Sequence, residues 1–223
     1  MHRILKGYLD MHYIGEFILR FIVRIIVNMV RVTRVQFRKP TKNTSEWRPY
    51  AQLWSKYHSR ALDLVPSVDA INIGVDPFAR NCTWCYPFTN DINIDTEAED
   101  HLDAEAYLEQ LEKTQGRGSF LIGLLDPPFS DRMHKELYQT EEVGSSNLYS
   151  SDSRKIRNIG WLLGNLICHG GYIIKAGYNT NRPHPCFDLV EVRICALGAS
   201  RNDVLFSVWK KNQKTLEDIF DAS

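Results

Sequence analysis

Hydrophobic and polar positions change period several times along this chain. From Tyr13 to Phe37 the residues are mostly apolar, yet Glu16, Arg20, Arg24, Asn28, Arg31 and Arg34 recur on one narrow stripe at helical spacing. Phe17, Ile18, Phe21, Ile22, Ile25, Ile26, Met29 and Val30 fill the rest of the cylinder. This pattern predicts a basic amphipathic helix, and its charges leave no uninterrupted apolar stretch of about 18 residues that would span a bilayer. Arg38 to Ser45 is polar, contains Pro40 and shows no apolar period, as a linker does. Trp47, Tyr50, Leu53, Trp54, Tyr57 and Leu62 then return every three or four residues, which predicts a helix lying on a core.

Beyond this point strand-like and helix-like runs alternate. Ala70 to Val75 reads as a strand ending at Asp76, His101 to Leu111 as a helix, and Ser119 to Leu125 as a buried strand ending at Asp126. Lys155 to His169 places Ile156, Ile159, Leu163, Leu166 and Ile167 on one face and meets Gly170-Gly171, read as a helix stop. Tyr172 to Ala176 is a strand, and two β-rich runs, Asp188 to Leu197 and Val204 to Lys210, flank a polar turn as an antiparallel pair would. Alternation closed by such a pair predicts an α/β domain from about Val68 to Lys211, with a mostly parallel sheet and one antiparallel C-terminal strand. Ligands of open α/β sheets bind beyond the carboxyl ends of the strands. Asp76-Pro77-Phe78 and Asp126-Pro127-Pro128-Phe129 are therefore expected on one rim.

Composition adds an asymmetry. The 223 residues are neutral overall, but residues 1–62 hold twelve Lys and Arg against three Asp and Glu, and residues 63–223 hold fifteen against twenty-four. A basic arm of this kind meets phosphate, an anionic surface or the acidic part of its own molecule, and the last is the plainest reading. For the amphipathic helix, packing on this protein or on a protein partner comes before contact with a membrane surface. No small-residue cleavage site follows it, so a secretory leader is not expected. The five cysteines, Cys82, Cys85, Cys168, Cys186 and Cys195, are too few and too irregular for a disulfide scaffold and fit a reducing, cytoplasmic compartment. Cys82-x-x-Cys85 lacks the further ligands at fixed spacing that zinc requires. It is read as two ordinary loop thiols, and no metal site is expected.

The sharpest motif is Asp126-Pro127-Pro128-Phe129. The lone pair of a planar exocyclic amine is delocalised into its ring, so an attack by that nitrogen requires acceptors that hold and polarise its N–H bonds. A carboxylate oxygen of Asp126 and the carbonyl of Pro127 can each accept one. Two prolines fix φ and stiffen that carbonyl. Phe129 offers a face on which an extruded base can stack, a contact worth roughly 1–3 kcal/mol in single-strand binding. On its own the tetrapeptide could equally be a strand end entering a proline-rich turn.

Its context is more specific. Asp76-Pro77-Phe78, Thr89-Asn90-Asp91-Ile92-Asn93, Leu102-Asp103-Ala104 and Asp126 to Phe129 form an ordered set that resembles the S-adenosylmethionine-dependent DNA adenine-N6 (amino) methyltransferases, particularly the small phage-type members. The resemblance covers roughly Val68 to Lys211. It implies a Rossmann-like methyltransferase fold, with an N-terminal helix and linker at 1–45 and a catalytic domain at 46–223. It also implies S-adenosylmethionine as cofactor, with Asp76, Pro77, Phe78 and Ala79 about the methionine moiety, Asp91 at the ribose and Asp103-Ala104 at the adenine. DNA, single-stranded or locally opened, is the implied partner, in the cytoplasm of a bacterium or a phage-infected host. One departure stands out: the family's glycine-rich turn is here Ala79-Arg80-Asn81-Cys82, although glycine would permit positive φ and a close approach of the cofactor. A methyltransferase-like protein that has lost catalysis and serves as a binding subunit is the alternative that follows from this departure.

Overall fold

The structure, a computed structural model, describes residues 30–36, 47–63, 72–128, 154–196 and 203–212. Contacts divide the chain into Met1–Arg31, of which only Val30 and Arg31 are described, and Val32–Ser223. The order of elements is β1 (Arg31–Gln36), α1 (Arg48–Leu62), β2 (Asn72–Val75), α2 (Ala104–Gln115), β3 (Phe120–Leu125), α3 (Arg154–Leu166), β4 (Ile167–Gly177), β5 (Phe187–Ala196) and β6 (Val204–Lys211).

Six strands make one mixed sheet in the order β1-β5-β6-β4-β3-β2. β2 pairs with β3, and β3 with β4, in parallel, whereas β6 runs against both β4 and β5. Strands β2, β3, β4 and β5 therefore share a direction and β6 opposes them, as the alternation of elements predicts. This is an α/β arrangement with a mixed, mostly parallel sheet, consistent with a Rossmann-like fold. All six residues of β3, Phe-Leu-Ile-Gly-Leu-Leu, are buried, because both faces of the sheet are covered. On one face Tyr50, Leu53 and Tyr57 of α1 pack with Ile122, Leu124, Ile174, Phe206 and Val208. On the other, Tyr107 and Leu108 of α2 and Ile159 and Leu163 of α3 pack with Phe120, Leu125, Ile173 and Trp209.

Local chemistry fixes the ends of these elements. Helix α1 carries proline in its first turn, where the missing N–H has no intrahelical partner to lose. Its orientation is set from the far side by Glu191 of β5, fully buried, which accepts from Lys56 Nζ, from Tyr57 Oη at 2.9 Å and from Arg193 Nη2 at 3.3 Å. Three donors keep its carboxyl below the ordinary range despite burial, which pushes the other way. Asp103 caps α2 by accepting from Glu105 N at 3.0 Å, and Gly116 ends it with φ 82°. The cap places the helix start three residues later than the periodicity suggests.

Two expectations need correction. Arg31–Gln36 lies in the sheet beside β5 and is not part of a helix running to Phe37. Its β-branched Val32, Thr33 and Val35 suit a strand, and an open flank of β5 supplies the hydrogen bonds that a helix would have made internally. The sheet therefore takes in residues that charge and linker composition assigned to the arm. Residues 13–29 of the amphipathic helix lie outside the described residues. The second correction concerns α3, which stops at Leu166, so that Gly170-Gly171 falls inside β4. Pairing with β3 jumps from Phe120↔Ile167 to Ile122↔Tyr172, an irregularity that loops extra β4 residues out of register. Gly170 takes φ 79°, and a Cβ on Gly171 would stand 2.6 Å from the Leu121 carbonyl oxygen. The glycines serve a bulge in this strand; they do not end the helix.

A candidate ligand site at the carboxyl ends of β2 and β3

Because β2 and β3 are parallel neighbours with Val75 opposite Gly123, Asp76 and Asp126 emerge from the same edge of the sheet. Beyond Asp76 the sheet tapers. Asp76 bridges Thr89 in parallel, and Asn90 bridges Asp100 in parallel, so two single-residue steps continue the sheet where longer strands would otherwise stand. This taper carries Asp91 and, after Asp100, Asp103-Ala104 to the rim where Asp76 lies. The four segments that the sequence singles out thus meet at one end of the sheet. Phe129, last of its motif, lies outside the described residues.

Asp76 is buried, and its Oδ1 accepts from Phe78 N at 3.0 Å in a tight turn. Burial pushes its carboxyl well above the ordinary range, the Phe78 N–H draws it back, and the charges of Asp126 and Asp91 push it up again. Asp91 is also buried and raised by desolvation; the N–H of Asn93, the charge and N–H of Arg80, and the charge of His101 offset part of that. Its Oδ1 accepts from Asn93 N at 2.9 Å, while Oδ2 is buried with no partner among the described residues. Asp126 is half-buried, and Pro127 and Pro128 are buried. The charges of Asp91 and Asp126 both reach buried Asp76, which makes a region that attracts a cation.

Asn90, fully buried, holds the loops together. Its Nδ2 donates to the Pro77 and Leu102 carbonyls at 3.3 and 3.0 Å, and its Oδ1 accepts from Leu102 N at 2.8 Å. Its backbone N–H donates to the Asp76 carbonyl at 2.9 Å, and its carbonyl accepts from Ala79 N at 2.8 Å. One asparagine thereby spaces the Asp76, Asp91 and Asp103 segments. The sequence shows it only as a polar residue between two more conspicuous ones. Asp103 itself is engaged, capping α2 and accepting from Lys155 Nζ of α3 at 2.6 Å, and Ala104 is the buried first residue of α2.

The turn that lacks glycine adopts a glycine-like conformation nonetheless. Arg80 has φ 51°, alone among the described non-glycine residues in the left-handed region. Such a backbone costs roughly 1 kcal/mol or more for a residue with a Cβ and persists only where the surroundings enforce it. Here Ala79 N is fixed to Asn90 O, and Cys82 N to Ala79 O at 2.8 Å. Cys82 and Cys85 are buried free thiols; Cys85 lies against Gly74, where a Cβ would come within 2.7 Å of its sulfur. They sit in turns, with no helix start of the redox type. Among the described residues no three His, Cys, Asp or Glu side chains gather as metal ligands would.

Two hydroxyls escaped the sequence reading, which placed Tyr50 on a helix face packed on the core and did not single out Tyr107. Tyr50 of α1 stacks on Phe206 (centroids 5.1 Å apart, planes 20°) and leans on Trp84 at 5.5 Å. Tyr107 lies in the first turn of α2. Both hydroxyls are buried without a hydrogen-bond partner among the described residues. No protein-family model, curated protein or solved structure matches this chain. No helix among the described residues is long and apolar enough to cross a membrane.

Proposed function

We propose that the chain is an S-adenosylmethionine-dependent methyltransferase acting on an exocyclic amine, with adenine N6 of DNA as the acceptor. The observation that carries this reading is the meeting, at the carboxyl ends of adjacent parallel strands, of Asp76 with Asp126-Pro127-Pro128 and of Asp91 one bridge further along the taper. The strand order, with β6 reversed between β4 and β5, supports a methyltransferase version of the Rossmann-like fold.

The residues suit the cofactor. A sulfonium and an ammonium are cations, and the charges of Asp91 and Asp126 act on buried Asp76, whose ionised form a cation would favour. The buried Oδ2 of Asp91 has an acceptor site left over, which a ribose hydroxyl would satisfy. Bound there, the cofactor would supply an electrophilic methyl group. Asp126 and the Pro127 carbonyl would accept the two N–H bonds of the amine and turn its nitrogen towards that methyl, with Phe129 as the stacking face. Direct transfer needs no covalent enzyme intermediate, and the surplus proton leaves to water.

The competing reading is a binding module without catalysis, favoured by the engagement of Asp103 with Lys155 and by Arg80 in a turn that suits glycine. Calorimetry with S-adenosylmethionine on wild type and Asp76→Ala tests the choice, followed by transfer of labelled methyl to single-stranded adenine-containing DNA. Saturable binding lost in the variant, with label appearing on adenine, is the expected result. No binding at millimolar ligand would leave the binding module.

A further inference from the structure

Tyr50 and Tyr107 lie in opposite layers of the molecule, one on the α1 face of the sheet and one on the α2 face. Phe206, on which Tyr50 stacks, is the register partner of Ala176, and the preceding Lys175 is the partner of Leu125. Tyr50 thus lies at the level where β3 gives way to Asp126. Tyr107 lies in the first turn of the helix that follows the Asp100 bridge, and its ring packs in the cluster that holds Val75 and Phe78. The charges of Asp126 and Asp76 act on the Tyr50 hydroxyl, and those of Asp100 and Asp76 on Tyr107. Both side chains are at least 98% buried. A buried phenol without a partner is costly, and tyrosine in a core position normally reaches one.

We propose that the hydroxyls of Tyr50 and Tyr107 are ligand-holding groups, built to donate to the carboxylate of an α-amino-acid tail whose ammonium pairs with Asp76. Two neutral donors beside one buried carboxylate are complementary to such a zwitterion, and neither tyrosine belongs to the motifs that suggested the site. That the amino acid is the tail of S-adenosylmethionine rests on the methyl-transfer reading.

The test compares S-adenosylmethionine with 5′-methylthioadenosine, which lacks the amino-acid tail, on wild type, Tyr50→Phe and Tyr107→Phe, together with melting of each protein without ligand. Each phenylalanine variant should bind S-adenosylmethionine about five- to tenfold more weakly, as the loss of one hydrogen bond implies, and methylthioadenosine as wild type does. The unliganded variants should melt no lower than wild type. Equal weakening for both ligands, unchanged affinity for both, or a lowered melting temperature without ligand would each overturn the proposal. A wild type that binds neither ligand would overturn it together with the methyl-transfer reading, whereas wild-type binding unaffected by the substitutions would leave that reading standing.

Discussion

Replacing Asn90 by alanine should dismantle the site while leaving the sheet folded. The side chain makes three hydrogen bonds, to the Pro77 carbonyl and to both backbone groups of Leu102. Each contributes about 1 kcal/mol net, and a buried donor or acceptor left unpaired costs roughly 1–3 kcal/mol more. With Leu102 N–H orphaned and two carbonyls each losing a donor, the loss is about 3–5 kcal/mol, a large part of the 5–15 kcal/mol that holds a typical domain. Asn90→Asp tests the geometry separately. It keeps an acceptor for Leu102 N but turns an oxygen on two carbonyls and adds charge beside Asp76 and Asp91, so it should be no better than alanine. Urea unfolding followed by tryptophan fluorescence gives the global figure, and hydrogen exchange gives its location. The amides of Ala79, Asp91 and Asp100, which bond across these loops, should lose protection while those of β3, β4 and β6 keep theirs. An alanine variant within about 0.5 kcal/mol of wild type, the scatter of ordinary surface substitutions, would refute the account of Asn90 as the clamp.

Other substitutions follow the same physics. Asp76 has its folded-state pKa raised, so its ionisation opposes folding: the stability it contributes is present below its unfolded pKa and is lost as pH rises through the folded value. Asp76→Asn should therefore raise stability near neutral pH by roughly 0.5–2 kcal/mol in a melting assay, while S-adenosylmethionine binding disappears. His184 works in the opposite sense. Buried between Trp161 and Phe187, with Nδ1 accepting from Cys186 N, it has its pKa lowered from 6.5 to about 4 by burial and by the Lys211 charge. The fold keeps it neutral, so stability should fall as pH drops from about 6.5 towards 4, by up to roughly 3 kcal/mol. His184→Asn should flatten that part of a pH series of urea melts. Arg80→Gly should leave stability within about 1 kcal/mol of wild type, since relief of the left-handed backbone offsets the added chain entropy, whereas Arg80→Val should lose more than 1 kcal/mol. Gly171→Ala should destabilise strongly, by about 1–3 kcal/mol or more, because the added carbon meets the Leu121 carbonyl, which a buried strand holds in place.

Legibility in the sequence followed how local each cause was. The Phe120–Leu125 run and the heptad-like face of α1 carry their own periodicity, and both elements appear where the pattern puts them. The shared rim of Asp76 and Asp126 follows from the parallel crossover rule alone. Gly170-Gly171 misled because a glycine pair after an amphipathic run signals a helix end, and only pairing with β3 reveals a bulge. Arg31–Gln36 misled because edge pairing with a strand some 150 residues later is invisible to a local window. Asn90, Tyr50 and Tyr107 were missed for a related reason. An asparagine that clamps three loops, or a tyrosine whose ring is core and whose hydroxyl is not, acquires its task only when distant segments meet. The turn at Arg80 shows the converse, since the surroundings impose the glycine conformation and residue type gave no sign of it.

The two flanks of the sheet also differ in what they offer to another molecule. A flank with unpaired backbone groups is a template on which a second chain can add a strand. On the β2 side the strand is only four residues long, and just past its end Asp76 bridges Thr89, so the straight edge left to copy is short. On the β1 side the last described strand is six residues long and carries Arg31 and Arg34 at its surface. A second copy presenting its own β1 would bring four arginines together, of which Arg34 in each copy is paired with Asp203, so growth of the sheet from molecule to molecule is opposed at one end by the shortness of the edge and at the other by charge.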